Sequence, residues 1–158
     1  QNYLAYGERI GWSYIHGLYP KNLLKAVEES VSILQMKYEE EKFIEFKKAV
    51  GEYQLLEDDL LDCRYRIRVP NAPEEMRTAG KELHNCMKNY ILKVRNRETM
   101  VVFIEDKQQA NKLIGAIEVC SGKMAQASSY CNQKLSQEVY EYLQGYIQRN
   151  KYFIVGHE

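Results

Sequence analysis

The stretch Glu74–Val94, EEMRTAGKELHNCMKNYILKV, decides the fold that this sequence predicts. Its apolar residues recur at the three- and four-residue spacing of a helix that buries one face. Asn71 is placed to act as the N-cap, and Pro73 suits the first helical turn. Glu74 stands three residues after Asn71, as in a capping box. We therefore predict one helix over residues 74–94.

The segments around this helix predict strands and further helices. Residues 64–69 (RYRIRV) alternate between apolar and basic side chains, which is typical of a strand with one buried face. Residues 99–104 (TMVVFI) are apolar on both faces and predict a central strand, followed by a polar loop over residues 105–112. Further strands are predicted at residues 113–120, with Glu118 facing solvent, and at residues 123–128, with a Ser121-Gly122 turn between them and a last helix capped by Ser136.

These elements define an α+β fold in two parts. Residues 1–62 are predicted to be helical, with an apolar side that runs as far as Gly51. Residues 63–158 are predicted to form a small, mainly antiparallel sheet of about four strands, with the central and last helices packed on one face. The helical part either packs on the rest of the chain or offers a coiled-coil surface to a partner.

The formal net charge of zero hides an uneven distribution. From Glu28 to Asp62 there are 11 acidic and 4 basic residues, whereas Arg64 to Arg97 holds 9 basic and 3 acidic residues. Either the two regions attract each other or the basic one contacts an acidic partner such as DNA or RNA. There is no apolar run of about 18 residues that would span a membrane. The four scattered cysteines favour reduced thiols and a cytoplasmic location.

Two short blocks resemble a known family. LHNCMKNY (Leu83–Tyr90), preceded by the strand YRIRVP (Tyr65–Pro70), resembles the EGxxLxxCVxxY signature of the PcfJ-like proteins. QASSYCN (Gln126–Asn132) resembles their second block, QxRGxxN, and YLAYGERIGWSYIHGLYPKNLLKAVEE resembles their N-terminal region. Ala79 replaces the usual Glu of the pattern, and Ser128 and Ser129 replace its Arg and Gly. The resemblance implies that the protein is encoded on a mobile element, such as a conjugative plasmid or a phage-like element. It does not identify an enzymatic reaction.

The basic strand and the basic central region supply the candidate phosphate contacts. Arg64, Arg66 and Arg68 are predicted to share one face of their strand. This face is either a charged edge that prevents aggregation or a ladder for phosphate groups. The remaining basic candidates are Lys81, Lys88, Lys93, Arg95 and Arg97.

His84 and Cys86 are the candidates for catalysis. On an intact helix they point about 200° apart, which prevents them from acting as a base and nucleophile pair. We interpret Cys86 as a small buried core residue. The spacing of His84, Cys86, Cys120 and Cys131 matches no usual zinc motif, so we predict no metal and no cofactor.

The amides Asn85, Gln126 and Asn132 form the last candidate group, because amide side chains suit base edges, phosphates or loop backbone. Three functions remain open. The first is a non-catalytic binding module of a mobile element, contacting nucleic acid or a DNA-transfer protein through residues 64–97. The second is a small enzyme with a pocket of Cys86, His84, Gln126 and Asn132. The third is a protein-interaction module that uses the acidic helical region.

Overall fold

The computed structural model describes residues 23–150. The chain divides into two compact units, with the boundary between Ile44 and Glu45. Most of the N-terminal segment that resembles the PcfJ-like proteins lies outside the described residues. The boundary predicted at residues 62/63 stays a prediction, although Phe46, Val50 and Leu56 belong to the hydrophobic core of the second unit.

Helix α1 spans Leu23–Gly51 and ends at the predicted glycine. Its first part carries the predicted apolar stripe, in which Leu24 is 70% and Tyr38 is 55% exposed. The use of this region as a protein contact stays a prediction. No helix within residues 23–150 is long and apolar enough to cross a membrane.

The second unit is built on a four-stranded antiparallel sheet, which confirms the α+β fold. The strands follow one another in space as they do in sequence, β1-β2-β3-β4. They are β1 (Tyr65–Arg68), β2 (Met100–Asp106), β3 (Lys112–Cys120) and β4 (Lys123–Ser128). Every residue of β2 is buried, as expected of a central strand. Ser121 and Gly122 form the β3–β4 turn with φ values of 51° and 74°, the positive values that a tight hairpin needs.

The predicted polar loop after β2 begins later than expected. Glu105 and Asp106 belong to β2, and they are 7% and 1% exposed. A buried carboxylate needs a cationic partner. Arg66 and Arg68 of the neighbouring strand β1 provide it for Glu105, and Arg64, just before β1, provides it for Asp106. The predicted start of the loop is wrong. Two acidic residues in a row indicate a loop from the local pattern, and the arginines that allow their burial lie about 40 residues away in the sequence.

The single helix predicted for residues 74–94 is wrong. Helix α2 spans Pro73–Glu82, a 3-10 turn covers Met87–Tyr90, and helix α3 covers Ile91–Arg95. The break at the end of α2 has the hydrogen bonds of a Schellman motif: the Asn85 N–H donates to the Gly80 carbonyl at 3.0 Å, and the His84 N–H to that of Lys81 at 3.4 Å. His84 takes the left-handed position, with φ of 49°.

The start of α2 also differs in detail from the prediction. The N-cap is Ala72, which has no capping side chain, and Pro73 is the first helical residue. The Glu75 carboxylate, rather than that of Glu74, accepts the Asn71 N–H at 2.6 Å. The Glu75 side chain therefore accepts the backbone hydrogen bond at the start of α2, and the Asn71 side chain does not cap the helix.

Helices α2 and α4 lie against opposite faces of the sheet, where the sequence suggested a shared face. Helix α4 spans Gln137–Arg149, and Ser136 caps it by accepting the Val139 N–H at 3.3 Å. The Tyr142 ring of α4 lies 5.6 Å from the ring of Tyr65.

Helix α2 contacts the other face, through Glu75 and Arg68, whose Oε2 and Nη1 atoms are 3.1 Å apart. Tyr65 and Arg68 are three positions apart on β1 and therefore point to opposite sides. The face that α2 covers is the one that carries the candidate site.

Candidate functional site

Arg66 and Arg68 of β1, and Arg64 immediately before the strand, are all paired with carboxylates of the same unit. The Arg64 guanidinium lies 2.7 Å from the Asp106 carboxylate and 3.2 Å from that of Glu138. Its hydrogen bonds hold the pKa of Asp106 below the usual value, an effect that burial of the carboxyl partly opposes.

Arg66 and Arg68 share the Glu105 carboxylate, at 2.8 and 3.2 Å. The hydrogen bonds and charges of Glu75 and Glu105 raise the pKa of Arg68 against the lowering effect of its burial. Internal carboxylates therefore take the places that phosphate groups would occupy on the predicted ladder.

Arg95, the last residue of α3, and Arg97, two positions beyond it, pair with acidic residues of the segment that precedes β1. Arg97 lies 2.9 Å from Glu52, and Arg95 lies 3.9 Å from Glu45. The acidic and basic regions seen in the sequence thus neutralise each other in part, within the second unit.

Three lysines of the predicted set differ from the arginines. Lys81, Lys88 and Lys93 are exposed, and none forms an ion pair within residues 23–150. The Lys93 ammonium lies 5.1 Å from the centre of the Tyr90 ring. The cationic groups available to a partner in this region are therefore the lysines around the Met87–Tyr90 turn.

A cleft of about 250 Å³ opens between this turn and the sheet. It brings together Cys86 and Tyr90 from the first sequence block with Gln126 and Asn132 from the second. The complete lining is Asn85, Cys86, Met87, Tyr90, Val101, Ala116, Ile117, Glu118, Gln126, Ser128 and Asn132. The cleft therefore has an apolar part and a set of amide, thiol, hydroxyl and carboxylate groups, which is the usual composition of a ligand site.

Backbone contacts explain why two distant blocks meet here. The Cys131 N–H donates to the Leu83 carbonyl at 2.8 Å and so ties the loop after β4 to the break after α2. Cys131 and Asn132 both have left-handed backbone conformations, with φ of 51° and 55°. Together with His84, they form a group of strained non-glycine residues beside the cleft, and such strain is often found at functional sites.

Two of the candidate residues have structural roles. The Asn85 Oδ1 accepts the Met87 N–H at 3.0 Å, at the start of the 3-10 turn that follows the break. The oxygen of this amide therefore stabilises the loop backbone. His84 does not line the cleft, and its ring lies 4.8 Å from that of Tyr130. The structure thus places Cys86, Gln126 and Asn132 together and His84 beside them.

The interpretation of Cys86 as a buried core residue is wrong, because its side chain is exposed in the cleft. The angle of about 200° between His84 and Cys86 does not apply either, since α2 ends before both residues. None of the four cysteines, all of which lie in the described part of the chain, forms a disulfide.

Glu118 is the site residue that sequence reasoning missed. The alternation of β3 predicts that it faces solvent, but it is half-buried and lines the cleft. Its Oε1 lies 3.1 Å from the Thr99 hydroxyl. A carboxylate within an apolar strand was the only signal in the sequence, and it does not reveal that the segment after α2 lies against this face.

No group of three His, Cys, Asp or Glu side chains within residues 23–150 is placed to hold a metal ion. The expectation of no metal and no cofactor stays a prediction.

The fold and the cleft define a small α+β domain with a ligand-sized site where its two sequence blocks meet. Comparison with protein families matches residues 3–144 to the PcfJ-like proteins. The chain belongs to the PcfJ-like protein family.

The chain is also similar to an uncharacterized protein of Listeria innocua serovar 6a, with 30% identity over 125 residues. That match covers 77% of this chain and 27% of the relative, so the chain spans about a quarter of that protein's length. No solved structure matches the chain.

Proposed function

We propose that this chain is a non-catalytic, nucleic-acid-binding module of a mobile genetic element, and that its cleft receives one unstacked base of a single strand. The observation that carries the proposal is the meeting of Tyr90, Gln126 and Asn132 in one cleft beside unpaired lysines. The conjugative plasmid or phage setting, a DNA-transfer protein as an additional partner, and a cytoplasmic location belong to the same proposal.

The chemistry of the cleft suits a nucleobase. The half-buried Tyr90 ring offers an aromatic surface on which a base stacks, and the buried side chains of Met87 and Val101 complete the apolar lining. The amides of Gln126 and Asn132 each carry donors and an acceptor for the polar edge of the base. A base within a duplex could not reach these groups, and so the proposal is specific to single strands.

The lysines supply the backbone contacts. Lys88 belongs to the same 3-10 turn as Tyr90, and Lys93 stands next to the Tyr90 ring. Phosphates on either side of a bound base would lie near these ammonium groups. The proposal therefore keeps the predicted basic region but transfers the phosphate contacts from the paired arginines to the exposed lysines.

Fluorescence anisotropy with labelled single-stranded DNA, single-stranded RNA and duplex DNA tests the proposal. We expect single strands to bind more tightly than the duplex, with an affinity that falls steeply between about 50 and 200 mM salt. The double variant Lys88→Ala/Lys93→Ala should reduce the slope of log K against log salt by about 0.7 for each phosphate that the protein no longer neutralises. Gln126→Ala/Asn132→Ala should weaken binding with little change in that slope.

Lys48→Ala/Lys112→Ala is the matched control, because it removes two exposed lysines that lie outside the cleft. It should leave the affinity within about twofold of the original value, given that phosphate contacts act locally. Failure of every single strand to bind at low salt would refute the proposal. Equal losses of affinity from the two double-lysine variants would show that the strand is attracted non-specifically and that there is no defined binding site.

A second candidate, a small thiol enzyme, is favoured by the exposure of Cys86 in a cleft that also holds the Glu118 carboxylate. A nucleophilic thiol requires a lowered pKa or a nearby base. Alkylation followed by peptide mass spectrometry would measure the reactivity of each cysteine between about pH 6 and pH 9. If Cys86 reacts at neutral pH far faster than Cys131, which is also exposed, the enzyme becomes the better candidate.

A further inference from the structure

Glu118 and Gln126 form a cross-strand pair at the cleft. They are directly opposite each other in the β3–β4 register and therefore project to the same face of the sheet. Both side chains line the cleft. Residues opposed in this way have Cβ atoms about 5 Å apart, close enough to contact neighbouring atoms of one ligand.

The hydrogen-bonding atoms of Glu118 and Gln126 that have no partner are complementary to one edge of a nucleobase. The Glu118 Oε1 is near the Thr99 hydroxyl, whereas its Oε2 has no hydrogen-bond partner within residues 23–150. The Gln126 amide also has no partner in that range. A carboxylate accepts hydrogen bonds and donates none, while the amide nitrogen of glutamine donates. The pair thus offers an acceptor next to a donor.

We propose that Glu118 and Gln126 make the cleft selective for bases whose Watson–Crick edge places an exocyclic amine beside an unprotonated ring nitrogen, which are cytosine and adenine. The amine donates to the Glu118 carboxylate, and the ring nitrogen accepts from the Gln126 amide. Thymine and uracil present a carbonyl oxygen where the amine would be, and this oxygen meets the carboxylate with no proton between them. The inference rests on the proposed function, since it names the base that the same cleft takes.

The selectivity is measured in the unaltered protein with two labelled oligonucleotides of equal length, oligo-dC and oligo-dT. Both are pyrimidine strands with similar backbones, so the phosphate contribution cancels in the comparison. We expect oligo-dC to bind about tenfold more tightly than oligo-dT at the same salt concentration, as one well-placed polar pair provides. Oligo-dA should also bind more tightly than oligo-dT.

Glu118→Gln tests the assignment to this residue. The variant keeps the shape of the side chain but adds a donor, which can bond the thymine carbonyl. The ratio of the two affinities should fall to about one or reverse, mainly through tighter binding of oligo-dT. Glu141→Gln, which removes an exposed carboxylate of α4, is the matched control and should keep the original ratio.

The outcomes separate the two proposals. If oligo-dC and oligo-dT bind equally and Gln126→Ala/Asn132→Ala weakens both, the inference on selectivity is overturned and the binding function stands. If neither strand binds, both fail. If Glu118→Gln does not fold by circular dichroism, the comparison of the two strands in the unaltered protein still decides whether the cleft prefers an amine-bearing base.

Discussion

The residue at which the chain leaves α2 determines the shape of the site. His84 holds a left-handed conformation that glycine or asparagine usually takes at this position of a Schellman motif. Any residue with a Cβ atom is strained by about 1–2 kcal/mol in this conformation. The left-handed residue turns the chain back toward the sheet, and Cys86 enters the cleft because of that turn.

We predict that His84→Gly is more stable than His84→Ala by about 1 kcal/mol. Both variants remove the imidazole ring that packs on Tyr130, so their difference isolates the backbone conformation. Urea denaturation of the two proteins gives this difference in the free energy of unfolding. If alanine equals or exceeds glycine in stability, the left-handed position of residue 84 is not maintained.

Gly115 is required for a second close approach. A Cβ atom at this position would lie 2.8 Å from the Ser128 carbonyl oxygen and 3.0 Å from the Leu135 side chain. We expect Gly115→Ala to lower the free energy of unfolding by about 1–3 kcal/mol, because β4 would have to move. Gly51→Ala is the matched control, since no atom lies within 4 Å of its Cβ position, and it should cost nothing in a thermal or urea measurement.

At the scale of elements, ion pairs connect the edge strand β1 and the preceding Arg64 to the neighbouring strand β2 and to helix α4. The Asp106 carboxylate is buried, and its hydrogen bonds with Arg64 hold its pKa below the usual value of 3.8. Since the folded-state pKa is lower than that of the unfolded chain, the stabilisation is complete above about pH 4. It is lost as the pH falls through the folded-state pKa.

We therefore predict that Asp106→Asn reduces the free energy of unfolding at neutral pH and that this deficit shrinks on acidification. Urea titrations between about pH 6 and pH 2.5 would measure the difference between the two proteins at each pH. Glu138→Gln should show a smaller deficit, because its carboxylate bonds the same guanidinium but is 61% exposed. A deficit for Asp106→Asn that stays constant with pH would contradict the ionic origin of the effect.

The elements that the sequence predicted well are those determined by local patterns. The β3–β4 hairpin and the Ser136 cap depend on residues a few positions apart, and both agree with the structure. The end of α2 could not be predicted in the same way, since His84 stands where glycine would have signalled the break.

Side-chain contacts between residues far apart in the sequence could not be predicted either. Only the folded sheet shows that the Arg68 guanidinium bonds Glu105 and Glu75, or that Glu118 faces a cleft covered by the segment after α2. For the candidate site, the two blocks identified Cys86, Gln126 and Asn132. Their convergence on one cleft required the structure.

At the scale of the molecule, the hydrophobic core of the second unit runs from Phe46 to Tyr146. Phe46, Val50 and Leu56 are 0, 3 and 3% exposed, and the Tyr146 hydroxyl donates to the Leu56 carbonyl at 2.7 Å. Burial and the charge of Asp58 raise the pKa of Tyr146. The segment before β1 is thus a structural part of the sheet unit, although its composition is that of the acidic helical region.

This arrangement predicts different behaviour for two fragments. A fragment that begins at Glu45 retains the whole core and should unfold cooperatively, with the far-ultraviolet circular dichroism of a folded domain. A fragment that begins at Cys63, the boundary suggested by the sequence, loses four buried apolar side chains. Three of them, Phe46, Val50 and Leu56, are larger than alanine, and each contributes about 2–5 kcal/mol when truncated in a core. This sum matches or exceeds the total stability of an ordinary domain, so the shorter fragment should be unfolded at 25 °C. If it unfolds as cooperatively as the longer one, residues 45–62 are dispensable, and the sheet must draw its stability from β1–β4 and the helices that follow β1.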